Sequence, residues 1–251
     1  MTNKLSFAAI VVGLMTLYVA GWRMLPALPP LERIAHAGGL YKERPLTDSI
    51  EALNANAFNY ILFEMDFQTT SDGVFVCAHS WKEFPNQTAP TYALYRKIRA
   101  RQGLEDCTIE RLIHWLEKHP HARIVTDVKQ DNLQALRIIA KKPASVRKRF
   151  IPQIYEPEDF SAVQKLGFPD IIWTLYRYYD GPLSVAYKAS QMDLYAITVP
   201  RKHVWLYAPM MRWIRKRVYT HTVNIESEFN RYRKWGVMEI YTDSLAPNKS
   251  N

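Results

Sequence analysis

Two cysteines, Cys77 and Cys107, are all that the 251 residues contain. That is too few for a disulfide framework. One bridge is conceivable, and two buried thiols are the simpler expectation. The chain also lacks zinc-finger spacing and the aromatic-glycine signature of RNA-binding modules, so no nucleic-acid partner is expected. What the chain has instead is apolar and basic. Hydrophobic residues reach 48% and charged residues 23%, enough for a real core and against wholesale disorder. A formal charge of +9 favours anionic partners, phospholipid headgroups among them.

Residues 5–22 carry no charge and lie between Lys4 and Arg23. Their length suffices for a membrane-spanning helix of about 18–20 residues, with Tyr18 and Trp22 at the interfacial level. Residues 1–24 are expected as an uncleaved anchor, a cleavable signal peptide being the rival. Residues 25–31 are a Pro-rich linker, and residues 32–247 one domain. The expected location is a single-pass membrane protein with its domain on the periplasmic or otherwise extracytoplasmic side. Residues 201–219 mix Arg201, Lys202, Arg212, Arg215, Lys216 and Arg217 with Trp205, Tyr207 and Trp213. They read either as a basic surface for anionic lipid or as an outer helix packed on strands.

Apolar runs predict strands over 32–37, 60–67, 123–129, 150–155, 171–176, 193–199, 217–223 and 238–243, with a hairpin arm ending at His79. Helical segments between them argue for a parallel sheet, and about eight such units argue for a closed α/β barrel of the (β/α)8 type. A helix is expected from Thr108 to His119, and a helix start at Thr47 or Asp48 acting as cap. Residues 83–107 read as a long, polar, irregular connection.

The chemistry concentrates in Glu64-Met65-Asp66. On a strand these two carboxylates share a face, and two anions so close call for a cation between them. A hard divalent metal, Mg²⁺ or Ca²⁺, meets that need with oxygen ligands. His36 and His79 stand at strand ends on either side. A lone histidine is more often structural, but a pair flanking a metal site suits proton transfer near neutrality. By the same alternation Asp127 and Lys129 face one way, as part of the site or as a simple strand-end ion pair.

The motifs His36-Ala37-Gly38, Glu64-Met65-Asp66, Thr70-Ser71-Asp72-Gly73, His79-Ser80, Asp127-Val128-Lys129 and the stretch from Gly236 to Asp243 together resemble the glycerophosphodiester phosphodiesterase family, within the phospholipase-C-like phosphodiesterases. The resemblance implies Glu64, Asp66 and Asp127 as metal ligands and His36 and His79 as acid/base catalysts. It implies Lys129, Arg44 and Asn224 as phosphate-binding residues, with Lys42 an alternative to Arg44 and Gln153 at the mouth. The family's arginine after the first histidine is Ala37 here, the aspartate after the second is Ser80, and a frequent tryptophan is His221. The function implied is metal-dependent hydrolysis of a glycerophosphodiester or (lyso)phospholipid headgroup diester. The alternatives are a sphingomyelinase-D-like enzyme forming a cyclic phosphate, which shares Asp-x-Lys, and a non-catalytic headgroup binder.

Overall fold

Strand alternation builds the molecule. The computed structural model describes residue 21, residues 24–178 and residues 180–247. Nine strands form one sheet: β1 (Ile34–Ala35), β2 (Leu62–Thr69), β3 (Phe75–Cys77), β4 (Arg123–Val128), β5 (Phe150–Ile154), β6 (Ile172–Thr174), β7 (Ala196–Pro200), β8 (Val218–His221) and β9 (Glu239–Thr242). β1 pairs in parallel with both β2 and β9, which closes eight parallel strands into a barrel. β3 alone is antiparallel, a short arm on β2. Around the strands run α1 (Ile50–Asn56), α2 (Tyr92–Arg101), α3 (Ile109–Lys118), α4 (Asn132–Ala140), α5 (Ala144–Arg147), α6 (Phe160–Lys165), α7 (Pro182–Ser190), α8 (Val204–Trp213) and α9 (Glu226–Arg233).

Two apolar layers divide the strand residues by parity. Ile34, Leu62, Val125, Ile151, Ile172, Ala196, Tyr219 and Tyr241 fill the lower barrel interior. Their neighbours Phe63, Met65, Phe67, Ile124, Phe150, Trp173, Ile197 and Ile240 point outward into the core beneath the helices. Phe63, for example, meets Trp115 of α3 edge-on at 5.3 Å between ring centroids. α3 starts where Thr108 accepts a hydrogen bond from the Arg111 N–H. That cap satisfies one of the helix's orphan donors, and Leu112, Trp115 and Leu116 form its buried face.

Three expectations need correction, and one open alternative, the outer helix within 201–219, is observed. Cys77 and Cys107 are not two thiols but one disulfide across 30 residues. Their backbones are already joined, the Cys77 N–H donating to the Cys107 carbonyl at 2.9 Å, a proximity that cysteine spacing does not encode. The cap of α1 is Ser49, whose side chain accepts from the Ala52 N–H at 3.0 Å, neither Thr47 nor Asp48. The connection 83–107 contains α2, capped by Thr91 and anchored by buried Tyr95 and Arg99. Most of its other positions are exposed, apolar Leu94 as well as Arg96 and Lys97, which masked the helical period. Within 201–219, residues 204–213 form α8, whose Val204, Ala208, Pro209 and Met211 are buried against the barrel. The expected anchor, residues 1–24, lies outside the described residues except for Gly21 and Met24. Among the described residues no helix is long and apolar enough to cross a membrane.

Candidate active site

Parallel strands all end on the same rim, and side chains at their C-terminal ends converge there. On β2, Leu62, Glu64 and Asp66 share the inner face, so an apolar plug below gives way to two acids above. Asp66 is the direct Cα partner of Asp127 on β4. Glu64, Asp66 and Asp127 each bring a carboxylate oxygen within 4.8 Å of the others. They are only 2%, 1% and 8% exposed.

This oxygen-only set fits a hard cation. Glu64 Oε2 accepts the Ala37 N–H at 2.8 Å, while Glu64 Oε1 is buried with no hydrogen-bond partner among the described residues. Asp66 Oδ1 likewise accepts no well-formed hydrogen bond. The Lys129 ammonium presses against that oxygen and lies 3.0 Å from Asp127 Oδ2, filling the gap between the two acids. Burial first, then the charges of Asp66 and Asp127, push the Glu64 carboxyl well above its ordinary range. Asp48 is fully buried and accepts the Asp66 N–H at 2.9 Å. Burial and then the charges of Asp66 and Glu64 drive its carboxyl strongly upward. Burial would raise Asp66 too, but the His79 hydrogen bond and Lys129 outweigh it and hold Asp66 below the usual carboxylate range. Lys129 is lowered by burial and raised more strongly by Asp66, Asp127 and Glu64, ending above its ordinary value.

His36 follows β1 and sets Nδ1 2.7 Å from Asp243 Oδ1. His79 follows β3 and sets Nδ1 2.7 Å from Asp66 Oδ2. A carboxylate only accepts, so each Nδ1 is the donor and each Nε2 carries the exchangeable position. Burial lowers the His36 pKa, yet the Asp243 bond and the charges of Asp66, Asp243 and Asp48 raise it overall. For Asp243, burial raises and the His36 bond lowers, and the lowering wins. The His79 side chain is 41% exposed and that of His36 17%, so His79 is the more open to solvent.

Asn224 is exposed, and one of its two amide N–H groups is engaged within the site. Its Nδ2 donates to Asp243 Oδ2 at 2.6 Å, and its Oδ1 accepts the Thr242 hydroxyl at 2.9 Å and the Asp243 N–H at 2.8 Å. It positions Asp243, which positions His36. Arg44 is exposed and paired through its backbone with Tyr41; no hydrogen bond or ion pair joins its guanidinium to the acid cluster among the described residues. Lys42 lies over the Tyr41 ring, 5.1 Å from its centroid. Lys129, Gln153 and His221 do reach the site. Gln153, Tyr176, His221 and Tyr241 line a narrow cleft with His36, Glu64 and Asp127. Its free volume, about 20 Å³, has room for roughly one water or ion. Burial, followed by the charge of His36, pushes the His221 imidazole down to about 4.

The structure adds residues that the sequence did not single out. Tyr155 donates to Asp127 Oδ1, and the Tyr176 hydroxyl lies 3.2 Å from both Asp127 oxygens. The Arg177 guanidinium stacks over these rings, 4.4 Å from the Tyr155 centroid and 5.1 Å from that of Tyr176. Asp243 was open to discovery by the signal that picked out Asp66, a carboxylate at a strand end. Asp48 was hidden because its residue type also suits a helix cap. The tyrosines carry no sequence signal.

No family model matches the sequence, and no curated protein matches it. Solved structures do share the fold. One is a glycerophosphodiester phosphodiesterase from Parabacteroides distasonis, with TM-score 0.66, 16% identity, and 84% of this chain and 92% of that one covered. Another is the glycerophosphodiester phosphodiesterase of Thermotoga maritima, with TM-score 0.64, 16% identity and coverage of 87% and 96%. A third is an Oleispira antarctica phosphodiesterase in complex with the product sn-glycerol-3-phosphate, with TM-score 0.63, 13% identity and coverage of 85% and 93%. At these identities the likeness establishes a common barrel.

Proposed function

We propose that the chain is a divalent-metal-dependent phosphodiesterase that hydrolyses a glycerophosphodiester or (lyso)phospholipid headgroup diester by histidine acid/base catalysis. The observation that carries this reading is the convergence of Glu64, Asp66 and Asp127 with two carboxylate-anchored histidines on one rim. The activity named for the structural neighbours, and the product bound to one of them, support it.

Glu64, Asp66 and Asp127 are the residues that would hold the cation, Mg²⁺ or Ca²⁺. When bound, it polarises a non-bridging phosphate oxygen and offsets developing negative charge. One histidine removes the proton from the attacking water as its oxygen bonds to phosphorus. The other delivers a proton to the ester oxygen as that P–O bond breaks, which keeps an alkoxide from being expelled unprotonated. Asp66 and Asp243 fix the tautomers that make this possible. Lys129 offers its ammonium to a phosphate oxygen. The disulfide supports an extracytoplasmic location, because such bridges persist in oxidising compartments, and residues 5–22 would supply the tether.

The test is turnover of glycerophosphodiesters by the full chain, with and without chelator, in wild type and His36→Ala. Metal-dependent release of alcohol, lost by at least about 100-fold in the variant, is expected. Activity indifferent to both removes the reading. A cyclic phosphate product would make the enzyme a lyase, and saturable binding without turnover would make it a headgroup binder.

A further inference from the structure

Beside the narrow cleft the rim opens into a larger one of about 400 Å³, walled by Tyr176, Arg201, Lys202, His221, Glu228 and Tyr232. Tyr176 and His221 line both clefts. The larger space therefore adjoins the acid cluster.

The walls describe what that space can take. Arg201 and Lys202 are exposed in the turn that follows β7. Lys202 has no ion pair among the described residues. Arg201 meets Glu228 Oε2 only at 3.5 Å. Glu228, the one carboxylate on this wall, is itself engaged by the Tyr232 hydroxyl at 2.6 Å and by Arg231 at 3.6 Å. His221 Nε2 is buried and has no hydrogen-bond partner among the described residues. Two cations against one carboxylate leave this wall with an excess of positive charge and one unmatched imidazole nitrogen, which suits neither an acyl chain nor a quaternary ammonium.

We infer that this cleft is the subsite for the substrate's alcohol arm and selects an alcohol that bears its own anion, such as a second phosphate. Arg201 and Lys202 meet that charge, and His221 Nε2 pairs with a hydroxyl or ester oxygen of the arm. The inference rests on the phosphodiesterase reading above and adds to it the class of alcohol.

The probes are three soluble diesters: glycerophosphocholine, glycerophosphoglycerol and bis(glycerophospho)glycerol, whose alcohol arm carries a further phosphate. At low salt the wild type should favour the last through KM by about tenfold over glycerophosphoglycerol, whose alcohol arm is uncharged, two part-exposed charge contacts being worth a few-fold each. The preference should shrink in about 0.5 M salt, where exposed charges are screened. In R201Q/K202Q the ratio of the two kcat/KM values should fall to about two, the statistical factor for two scissile bonds. Both positions are exposed, and a wild-type melting curve for the variant confirms that it is folded. Equal KM values in the wild type, or a preference that survives the double variant, overturns the subsite. If no diester is turned over, calorimetric titration of bis(glycerophospho)glycerol separates the two claims. Binding that is lost in R201Q/K202Q keeps the subsite while hydrolysis fails, and absent or unchanged binding overturns it.

Discussion

Asp66 and Asp127 are direct partners across adjacent parallel strands, and the ammonium of Lys129 is wedged between their carboxylates. Pairing in register makes the two acids neighbours by backbone geometry alone. A buried group of like charges needs a counter-charge. Lys129 supplies one charge to a cluster that can carry three.

Divalent metal should therefore stabilise the protein, and more so as pH rises. Glu64 has a folded pKa raised above its ordinary 4.5. Without metal its contribution to stability is present below that value and is lost as pH climbs through the raised folded pKa. A metal binds the deprotonated carboxylate and reverses the trend. Thermal unfolding with Mg²⁺, Ca²⁺ or chelator should show a larger metal-induced rise in Tm at about pH 8 than at about pH 5. Glu64→Gln should remove most of the difference.

Lys129→Met should expose the same dependence from the other side. Removing the ammonium leaves Asp66 and Asp127 buried against each other, which costs about 3 kcal/mol in chelated protein. Added divalent metal should restore most of that loss in urea unfolding. A variant equally unstable with and without metal would show that Lys129 does something other than stand in for a cation.

Asp243→Asn should act through His36. The hydrogen bond that raises the His36 pKa is weakened, so the limb of the pH–rate profile belonging to His36 should move to lower pH. The rate should fall about 10- to 100-fold, as for other residues that orient a reacting group. The stability effect has a sign. His36, raised above 6.5, contributes fully below that value and loses its contribution as pH rises through the folded pKa. Asp243, held below 3.8, contributes above that value and loses its contribution as pH falls. The variant should thus be more destabilised near pH 6 than near pH 9.

Reduction of Cys77–Cys107, which closes a loop of 30 residues, should lower stability by about 3.6 kcal/mol, the chain-entropy estimate for that length. Urea unfolding of wild type against C77A/C107A measures it, and the intact mass before and after reductant establishes that the bridge is formed.

The barrel was readable because buried parallel strands are short apolar runs, and every predicted run overlaps an observed strand. The site was readable where alternation could be applied along one strand, as for Glu64 with Asp66 and Asp127 with Lys129. It was not readable where two distant segments meet. Asp243 reaches His36 across 207 residues, and Tyr155 and Tyr176 close on Asp127 from two further strands. The disulfide was missed because neither cysteine's spacing reports that β3 returns beside the start of α3.

β2 is also a reading frame. Leu62, Glu64 and Asp66 face the lumen, and Phe63, Met65 and Phe67 face the helices. Inserting or deleting one residue before Glu64 would exchange the two sets, turning both acids toward apolar packing and three large hydrophobes toward the rim. A mutational scan of this strand should therefore accept many exchanges among apolar residues at 63, 65 and 67, and no single-residue change of length.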